Sequence, residues 1–264
     1  MSQQDRNAEL VSLLETDFVG RNEPNYAWKS ACSAFLALPG LRGFWPMSST
    51  DENGDAMDLS GQSTPRILTL AGAAQYLYAN LHPILFFDGV TGYLSRADEA
   101  GLDILGTESY NTAAVRGLTI GGWFLPIALR TQGFITKESA GNAAQASYAL
   151  YNTNPALLTF RVSTGAAFLE VNLAGLSTTS WHFCVGRFTP STEIKVWRND
   201  TTATNLVGIP AAMVNSVQPL EIGSFAGGAL PFSGYASMCF LSSMMLSDSI
   251  ISALFEQTRT MYSV

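Results

Sequence analysis

Leu158-Thr159-Phe160-Arg161-Val162-Ser163 alternates apolar and polar side chains without interruption. Successive side chains of a β-strand point to opposite faces of the sheet, so this period of two predicts a half-buried strand with its three apolar residues inward. Further short strand-like runs recur from residue 41 onward, separated by clusters of turn-forming residues. Because no helical crossover lies between these runs, the region predicts an antiparallel two-sheet β-sandwich.

The other strand candidates are shorter or alternate less clearly. Trp181, Phe183 and Val185 repeat the period of two, and we expect all three to point into the core. Asp88-Gly89 favours a tight hairpin turn. The remaining predicted strands cover residues 67–70, 84–87, 118–125, 133–136, 148–151, 167–173, 220–225 and 234–241.

Two helices are predicted near the start of the sequence, over residues 5–19 and 26–38. Neither is long enough to be stable alone in water, so each must pack either on the sandwich or on a neighbouring subunit. We therefore expect residues 1–39 to form a docking arm and residues 40–264 to form the sandwich. The side chains expected to dock are Leu10, Leu13, Leu14, Phe18, Tyr26, Trp28 and Phe35.

A further helix is predicted near the end of the sequence. Ser247 is a favourable N-cap, and Asp248 complements the positive end of the helix dipole. Apolar residues then follow at helical spacing. They are Ile250, Ile251, Leu254 and Phe255.

Composition restricts the possible partners. Only 13% of the 264 residues are charged, and the formal net charge is −7. An acidic chain repels phosphate backbones, which argues against nucleic acid as a partner. No run of about 18 apolar residues predicts a membrane span, and no basic-then-apolar start predicts a secretory signal. A surface with few charges suits burial against other subunits, because buried charges are costly unless they are paired.

The cysteines give no sign of a disulfide framework or a zinc site. Cys32, Cys184 and Cys239 are odd in number and widely spaced. Cys184 and Cys239 lie inside apolar strand-like runs, where a free cysteine behaves as a small hydrophobic residue. We therefore expect buried, reduced thiols.

A series of motifs resembles the laminin-G-like jelly rolls, which belong with the concanavalin A-like lectins and glucanases. The motifs follow in family order over residues 41–256, and they imply a jelly-roll sandwich. Trp45, Trp123 and Trp181 would then be large anchors between the two facing sheets. The motifs are Gly43-Phe44-Trp45-Pro46-Met47, Asp58-Leu59-Ser60-Gly61, Phe87-Asp88-Gly89-Val90-Thr91-Gly92-Tyr93-Leu94, Leu118-Thr119-Ile120-Gly121-Gly122-Trp123-Phe124, Ser180-Trp181-His182-Phe183, Glu193-Ile194-Lys195-Val196-Trp197-Arg198-Asn199, Pro219-Leu220-Glu221-Ile222-Gly223 and Leu246-Ser247-Asp248.

Two stretches, residues 41–49 and Ser95-Arg96-Ala97-Asp98, are most similar to the versions of this domain in tailed bacteriophages. Those versions are usually virion components. The resemblance implies a virion structural protein that decorates the capsid exterior or another virion surface, made in the host cytoplasm. Its partners would be a major capsid or tail protein and further copies of itself, since shell proteins follow local symmetry.

The sequence offers little for catalysis. Glucanases of this fold carry Glu-x-Asp-x-x-Glu on a strand, which supplies the carboxylate pair of retaining hydrolysis, and no predicted strand has it. A serine triad needs a histidine, but His82 precedes Pro83 in a loop and His182 lies within a predicted strand. We expect a protein without enzymatic activity or cofactor, and glycoside hydrolysis is the third and weakest function class.

Calcium and glycans are the two ligands that the sequence leaves open. Asp51, Asp55 and Asp58 form the best oxygen cluster for calcium, although we prefer to explain them as a solvated turn. Residues 232–237 lack the acidic string that the family often has there, which argues against both calcium and a rim ligand. The alternative function is a glycan-binding adhesin with exposed rings that stack on sugars. Trp197, out of phase with Ile194 and Val196, leads those candidates, followed by Tyr93, Tyr151 and Tyr235.

Overall fold

The computed structural model of the protein describes residues 26–48, 50–79, 82–108, 111–139, 141–153 and 155–264. The helices are α1 (Tyr26–Leu36) and α2 (Asp248–Thr258), with short 3-10 helices at Ala113–Val115, Ala143–Gln145 and Arg259–Tyr262. The strands are β1 (Leu41–Trp45), β2 (Thr69–Ala71), β3 (Gln75–Ala79), β4 (His82–Asp88), β5 (Tyr93–Arg96), β6 (Arg116–Pro126), β7 (Gln132–Glu138), β8 (Ala146–Thr153), β9 (Leu157–Ser163), β10 (Phe168–Ala174), β11 (His182–Thr189), β12 (Glu193–Arg198), β13 (Thr201–Asn205), β14 (Leu220–Ile222) and β15 (Ser233–Met244). The predicted helix over residues 5–19, with Leu10, Leu13, Leu14 and Phe18, lies outside the described residues.

The strands form two stacked antiparallel sheets, which confirms the predicted all-β sandwich. The first sheet runs in the order β13-β12-β11-β6-β15-β4-β3, and β1 also pairs with β15. The second sheet runs in the order β10-β9-β8-β7-β14-β5-β2. Strand β15 pairs with β4 through its first half and with β1 through its second half. Between the halves, Met238 has a positive φ of 48°, at the point where the pairing register of β15 with β6 shifts.

The main core lies between the two sheets. Leu158, Phe160 and Val162 of β9 are fully buried there, as their alternation predicts. Trp45 is also fully buried, and its indole Nε1–H donates a hydrogen bond of 2.8 Å to the carbonyl oxygen of Arg66. The buried indole therefore keeps a hydrogen-bond partner, which removes the cost of burying its polar N–H.

A second apolar layer covers the outer face of the first sheet. Helix α1, which the predicted boundary assigns to the arm, places Trp28 and Phe35 in this layer together with residues of α2. For these two side chains, the docking surface is the sandwich itself. Nothing is described of the Tyr26 side chain. No described helix is long and apolar enough to cross a membrane.

Several residues that we expected between the sheets lie in this outer layer instead. Trp123, Phe183 and Val185 are buried beneath the helices, and Trp181 lies partly exposed at the margin of the same layer. The expectation that these side chains point inward is therefore wrong. Strand β11 is apolar on both faces because both are covered, so alternation could not show which face is inner.

The Asp88-Gly89 turn does not close a hairpin, contrary to expectation. It connects β4 of the first sheet to β5 of the second sheet. The Asp88 carboxylate accepts hydrogen bonds from the backbone N–H groups of Val90, Thr91 and Gly92 at 2.8–3.0 Å. Slight burial acts to raise the pKa of Asp88, but these hydrogen bonds outweigh it and lower the pKa to about 2.

Helix α2 and the cysteines follow the predictions. The Ser247 side chain accepts a hydrogen bond from the backbone N–H of Ile250, as an N-cap does. All three cysteines are free and buried. Cys184 and Cys239 lie in the core between the sheets, whereas Cys32 lies in the outer layer.

Candidate binding surface

An aromatic patch lies on the outer face of the first sheet, where the helical layer ends. We define it by Phe86 of β4, Leu125 of β6, Tyr235 of β15 and Trp181, which directly precedes β11. All four side chains are partly exposed and none is charged. The Tyr235 ring lies 5.2 Å from that of Phe86 and 6.4 Å from that of Trp181, measured between centroids. The strands thus bring together residues from four separate parts of the chain.

The patch rests on the end of the outer apolar layer. Trp181 packs on Tyr262 at a centroid distance of 4.9 Å, and Tyr262 stacks on the buried Trp123 at 4.2 Å. Beneath the patch, the ring of His82 meets Tyr262 edge-on at 4.7 Å. The rings are therefore supported from below, so a ligand would meet a surface that is already ordered.

Trp197, the leading predicted sugar-stacking residue, is 2% exposed. It does face away from Ile194 and Val196, as its phase predicts, because those two side chains lie in the core between the sheets. The guanidinium of Arg187 lies 4.8 Å from the ring centroid, and the Lys195 ammonium lies 4.9 Å from it.

Asp248 of α2 pairs with both of these cations, at 2.7 Å from Arg187 and 2.6 Å from Lys195. The two cations are therefore held across the indole ring of Trp197 by the first residue of the helix. Covered in this way, the ring offers no free face for a sugar to stack on, and the expectation of an exposed Trp197 is wrong.

Tyr151 lies on the outer face of the second sheet and is only 3% exposed. Its ring meets that of Phe225 edge-on at 5.5 Å, and its hydroxyl donates a 2.8 Å hydrogen bond to Glu170. Tyr93 lies half-buried on the same face, against Gly228, where an added Cβ would approach the Tyr93 ring to 2.8 Å. Tyr93 and Tyr151, two of the predicted sugar-binding residues, thus share the outer face of the second sheet, and Tyr151 is covered there. Tyr235, the remaining candidate, belongs to the aromatic patch on the first sheet.

Arg161 is the centre of a polar network on this second face. Its guanidinium binds both carboxylate oxygens of Glu138, reaches Glu170 at 3.4 Å and lies 4.0 Å from the Phe168 ring centroid. Burial raises the pKa of Glu138, and the bonded Arg161 only partly offsets this effect. Both carboxylates are therefore engaged by one cation, and the arrangement is that of a buried structural ion pair.

The three predicted calcium ligands act as acceptors for the backbone. Asp58 accepts hydrogen bonds from the N–H groups of Phe44, Ser60 and Arg66 at 2.8–3.0 Å. Asp51 accepts N–H bonds within its own turn, and Asp55 accepts one from Leu70. Across the described ranges, no three His, Cys, Asp or Glu side chains converge as metal ligands.

His182 is buried beside Ser177, but the pair does not have the geometry of a hydrolase. Its Nε2 accepts the backbone N–H of Ser177 at 3.0 Å and lies 3.2 Å from the Ser177 hydroxyl oxygen. The pKa of His182 is lowered to about 4, mainly by burial and to a smaller extent by the nearby charge of Arg198. A neutral imidazole has one acceptor nitrogen, and here that nitrogen is occupied by a backbone N–H. It is therefore not placed to take the proton of the hydroxyl.

The fold is shared with solved structures, although no protein-family model and no curated protein matches the sequence. The binding domain of Paraclostridial Mosquitocidal Protein 1 gives a TM-score of 0.62 at 10% identity, over 82% of this chain and 52% of that one. The binding domain of botulinum neurotoxin DC, in complex with rat synaptotagmin II, gives 0.59 at 12% identity, over 83% and 52%. A structure concerning botulinum neurotoxin type C, whose cell entry is dependent on interaction with two ganglioside molecules, gives 0.61 at 12% identity, over 83% and 51%.

This chain matches only about half the length of each of these neighbours. At such low identity the likeness shows the fold alone, a β-sandwich of the jelly-roll kind. Sequence reasoning had placed Tyr235 among the candidate binding residues, but it missed Phe86, Leu125 and Trp181. Cys184 and Phe188 of β11 face the core between the sheets, and Trp181 lies an odd number of residues before each of them. This spacing predicts that Trp181 points to the opposite, outer face.

Proposed function

We propose that the chain is a non-catalytic structural protein of a bacteriophage virion. It decorates the capsid exterior or another virion surface and attaches through protein–protein interfaces. The observation that carries this proposal is the aromatic patch, an uncharged surface left open beside a face that helices otherwise cover. The low charge of the chain and the resemblance to tailed-bacteriophage laminin-G-like domains support it.

Attachment would follow from burial of the patch against a neighbouring protein. Removing apolar surface from water is favourable, and buried Trp and Tyr side chains are frequent hot spots of interfaces. A stable interface buries about 1,200–2,000 Å² in total, so the patch would be its centre and the surrounding polar surface its rim. Residues 1–25 would extend the contact.

The proposal predicts that a variant of this chain with both Trp181→Ala and Tyr235→Ala no longer attaches to the particles. If each ring contributes about 2 kcal/mol at the interface, the affinity falls by roughly three orders of magnitude. Mass spectrometry of purified particles measures the copy number of the wild type and of the variant. Tyr93→Ala, on the opposite face of the sandwich, is the matched control and should leave the copy number unchanged.

Two results would contradict the proposal. One is that the wild-type chain is absent from purified particles. The other is that the double variant is incorporated as well as the wild type while circular dichroism shows both to be folded.

Glycan binding is the second candidate function, and the same patch favours it. The rings of Trp181 and Tyr235 are partly exposed, and the exposed hydroxyl of Ser180 lies next in sequence to Trp181. An adhesin would show saturable binding of an oligosaccharide, such as that of a ganglioside, to the purified chain. Binding should disappear in Trp181→Ala. Trp197→Ala is unsuitable as a test because Trp197 is buried and its loss would disturb folding.

A further inference from the structure

Thr50 and Ala56 pair across a turn in which Asn53 and Gly54 are neighbours. Asn53 is exposed, and Gly54 is partly exposed with a φ of 85°. In the whole sequence, Asn53 is the one asparagine that a glycine directly follows. Asparagine is a thermolabile residue, and a following glycine has no side chain to keep its backbone nitrogen away from the asparagine amide. The turn therefore presents a reactive pair of groups at the surface.

The structure leaves this pair accessible. A Cβ added at Gly54 would meet no heavy atom within 4 Å apart from those of its two neighbours, so the space beside its Cα is open. In the described part of the chain, the Asn53 side-chain amide makes one hydrogen bond, of 3.5 Å from Nδ2 to the Asp51 carboxylate. The Gly54 N–H donates to the Asp51 carbonyl oxygen at 3.1 Å, and this bond must open before the nitrogen can react. In an exposed turn it opens at little cost, because water replaces the lost partner.

We propose that Asn53 is a site of spontaneous deamidation. The Gly54 nitrogen loses its proton to solvent and attacks Cγ of Asn53, and a C–N bond forms. The Asn53 side-chain nitrogen takes up a proton and leaves as ammonia, which leaves a five-membered imide ring. Water then cleaves one of the two carbonyl C–N bonds of this ring and gives either aspartate or isoaspartate. Water is the only co-reactant, so the modification needs no enzyme, and it does not depend on the proposed attachment through the aromatic patch.

Either product changes the turn. One neutral amide becomes a carboxylate, so the formal net charge moves from −7 to −8. The new charge lies close to Asp51, whose Oδ1 accepts the backbone N–H groups of Asn53 and Asp55 at 2.9 Å. Isoaspartate also lengthens the main chain by one carbon atom. Because Asp55 accepts a 2.8 Å hydrogen bond from the N–H of Leu70 in β2, we expect isoaspartate to loosen this contact and aspartate to preserve it.

Incubation of the folded full chain at physiological temperature and mildly alkaline pH, followed by peptide mapping with mass spectrometry, tests the proposal. Asn199 is the internal control. It also lies in a turn, with a φ of 57°, but Asp200 follows it and its Oδ1 accepts the backbone N–H of Phe183 at 2.8 Å. Asn53 should convert roughly ten times as fast as Asn199, or faster. On ion exchange, the aspartate product should elute with the Asn53→Asp variant.

Asn53→Gln gives a second readout, because a glutamine would have to close a less favourable six-membered ring. An isoaspartate-specific methyltransferase should label the aged wild type and leave aged Asn53→Gln almost unlabelled. Equal labelling of the two chains would overturn the inference, and so would conversion of Asn53 no faster than that of Asn199. The same incubation in urea examines the role of the fold. If Asn53 converts in urea but stays intact in the folded chain, the turn protects it and the inference is wrong.

Discussion

Replacing Trp123 with alanine is expected to lower the free energy of unfolding by about 3–5 kcal/mol, the usual cost of emptying a large buried aromatic site. The indole is fully buried, stacks on Tyr262 at 4.2 Å and lies 5.3 Å from the Phe183 ring. Its Nε1–H donates a 3.0 Å hydrogen bond to the Thr258 hydroxyl at the end of α2. One side chain therefore fixes the closing helix to the first sheet, and urea denaturation measures its loss.

Trp181→Ala is the comparison that makes this result specific. Trp181 is partly exposed, so its removal leaves no closed cavity and should cost less than about 1.5 kcal/mol. A loss for Trp181→Ala as large as that for Trp123→Ala would mean that Trp181 is a structural residue. The assignment of Trp181 to a binding surface would then be wrong.

Arg161→Met is expected to destabilise the protein by about 3–5 kcal/mol at neutral pH, because it leaves the Glu138 carboxylate buried without its cation. The Glu138 side chain is 1% exposed, so water cannot replace the lost guanidinium. The variant also loses the contact of the cation with the Phe168 ring. Chemical denaturation at several pH values measures both the size of the effect and its pH dependence.

The destabilisation by Arg161→Met should shrink as the pH falls. Burial raises the pKa of Glu138 in the folded protein, and losing Arg161 raises it further. The folded state then binds more protons than the unfolded state, so stability increases as pH falls from the raised folded pKa towards the usual glutamate value of about 4.3. Adding Glu138→Gln to Arg161→Met should remove most of this dependence. A deficit that stays constant between pH 7.5 and 5 would contradict the argument.

Local sequence patterns were sufficient to predict those elements that have one covered face or a clear helix cap. The alternation in β9 gave the correct inward set of Leu158, Phe160 and Val162, and Ser247 marked the start of α2. The jelly-roll motifs indicated the two-sheet sandwich. These features depend on neighbours within a few residues, and a single sequence contains that information.

The position of the binding surface could not be predicted from local patterns, because it depends on contacts between distant parts of the chain. Trp181 lies outward because helices cover the middle of that sheet and leave its end open. Trp197 faces the predicted side, but Asp248, 51 positions along the chain, holds two cations over its ring. Strand β3 was missed because it is only five residues long and follows an alanine-rich stretch with little strand propensity.

The positions of the three native thiols make the two apolar layers separately observable. Cys184 and Cys239 report on the space between the sheets, and Cys32 reports on the helices that lie outside it. Burial raises the pKa of all three thiols, which keeps them in the unreactive protonated form while their surroundings stay closed. A thiol-reactive probe would therefore modify each cysteine only after its own layer opens, and peptide mapping over time would show whether the helical cover detaches before the sandwich separates.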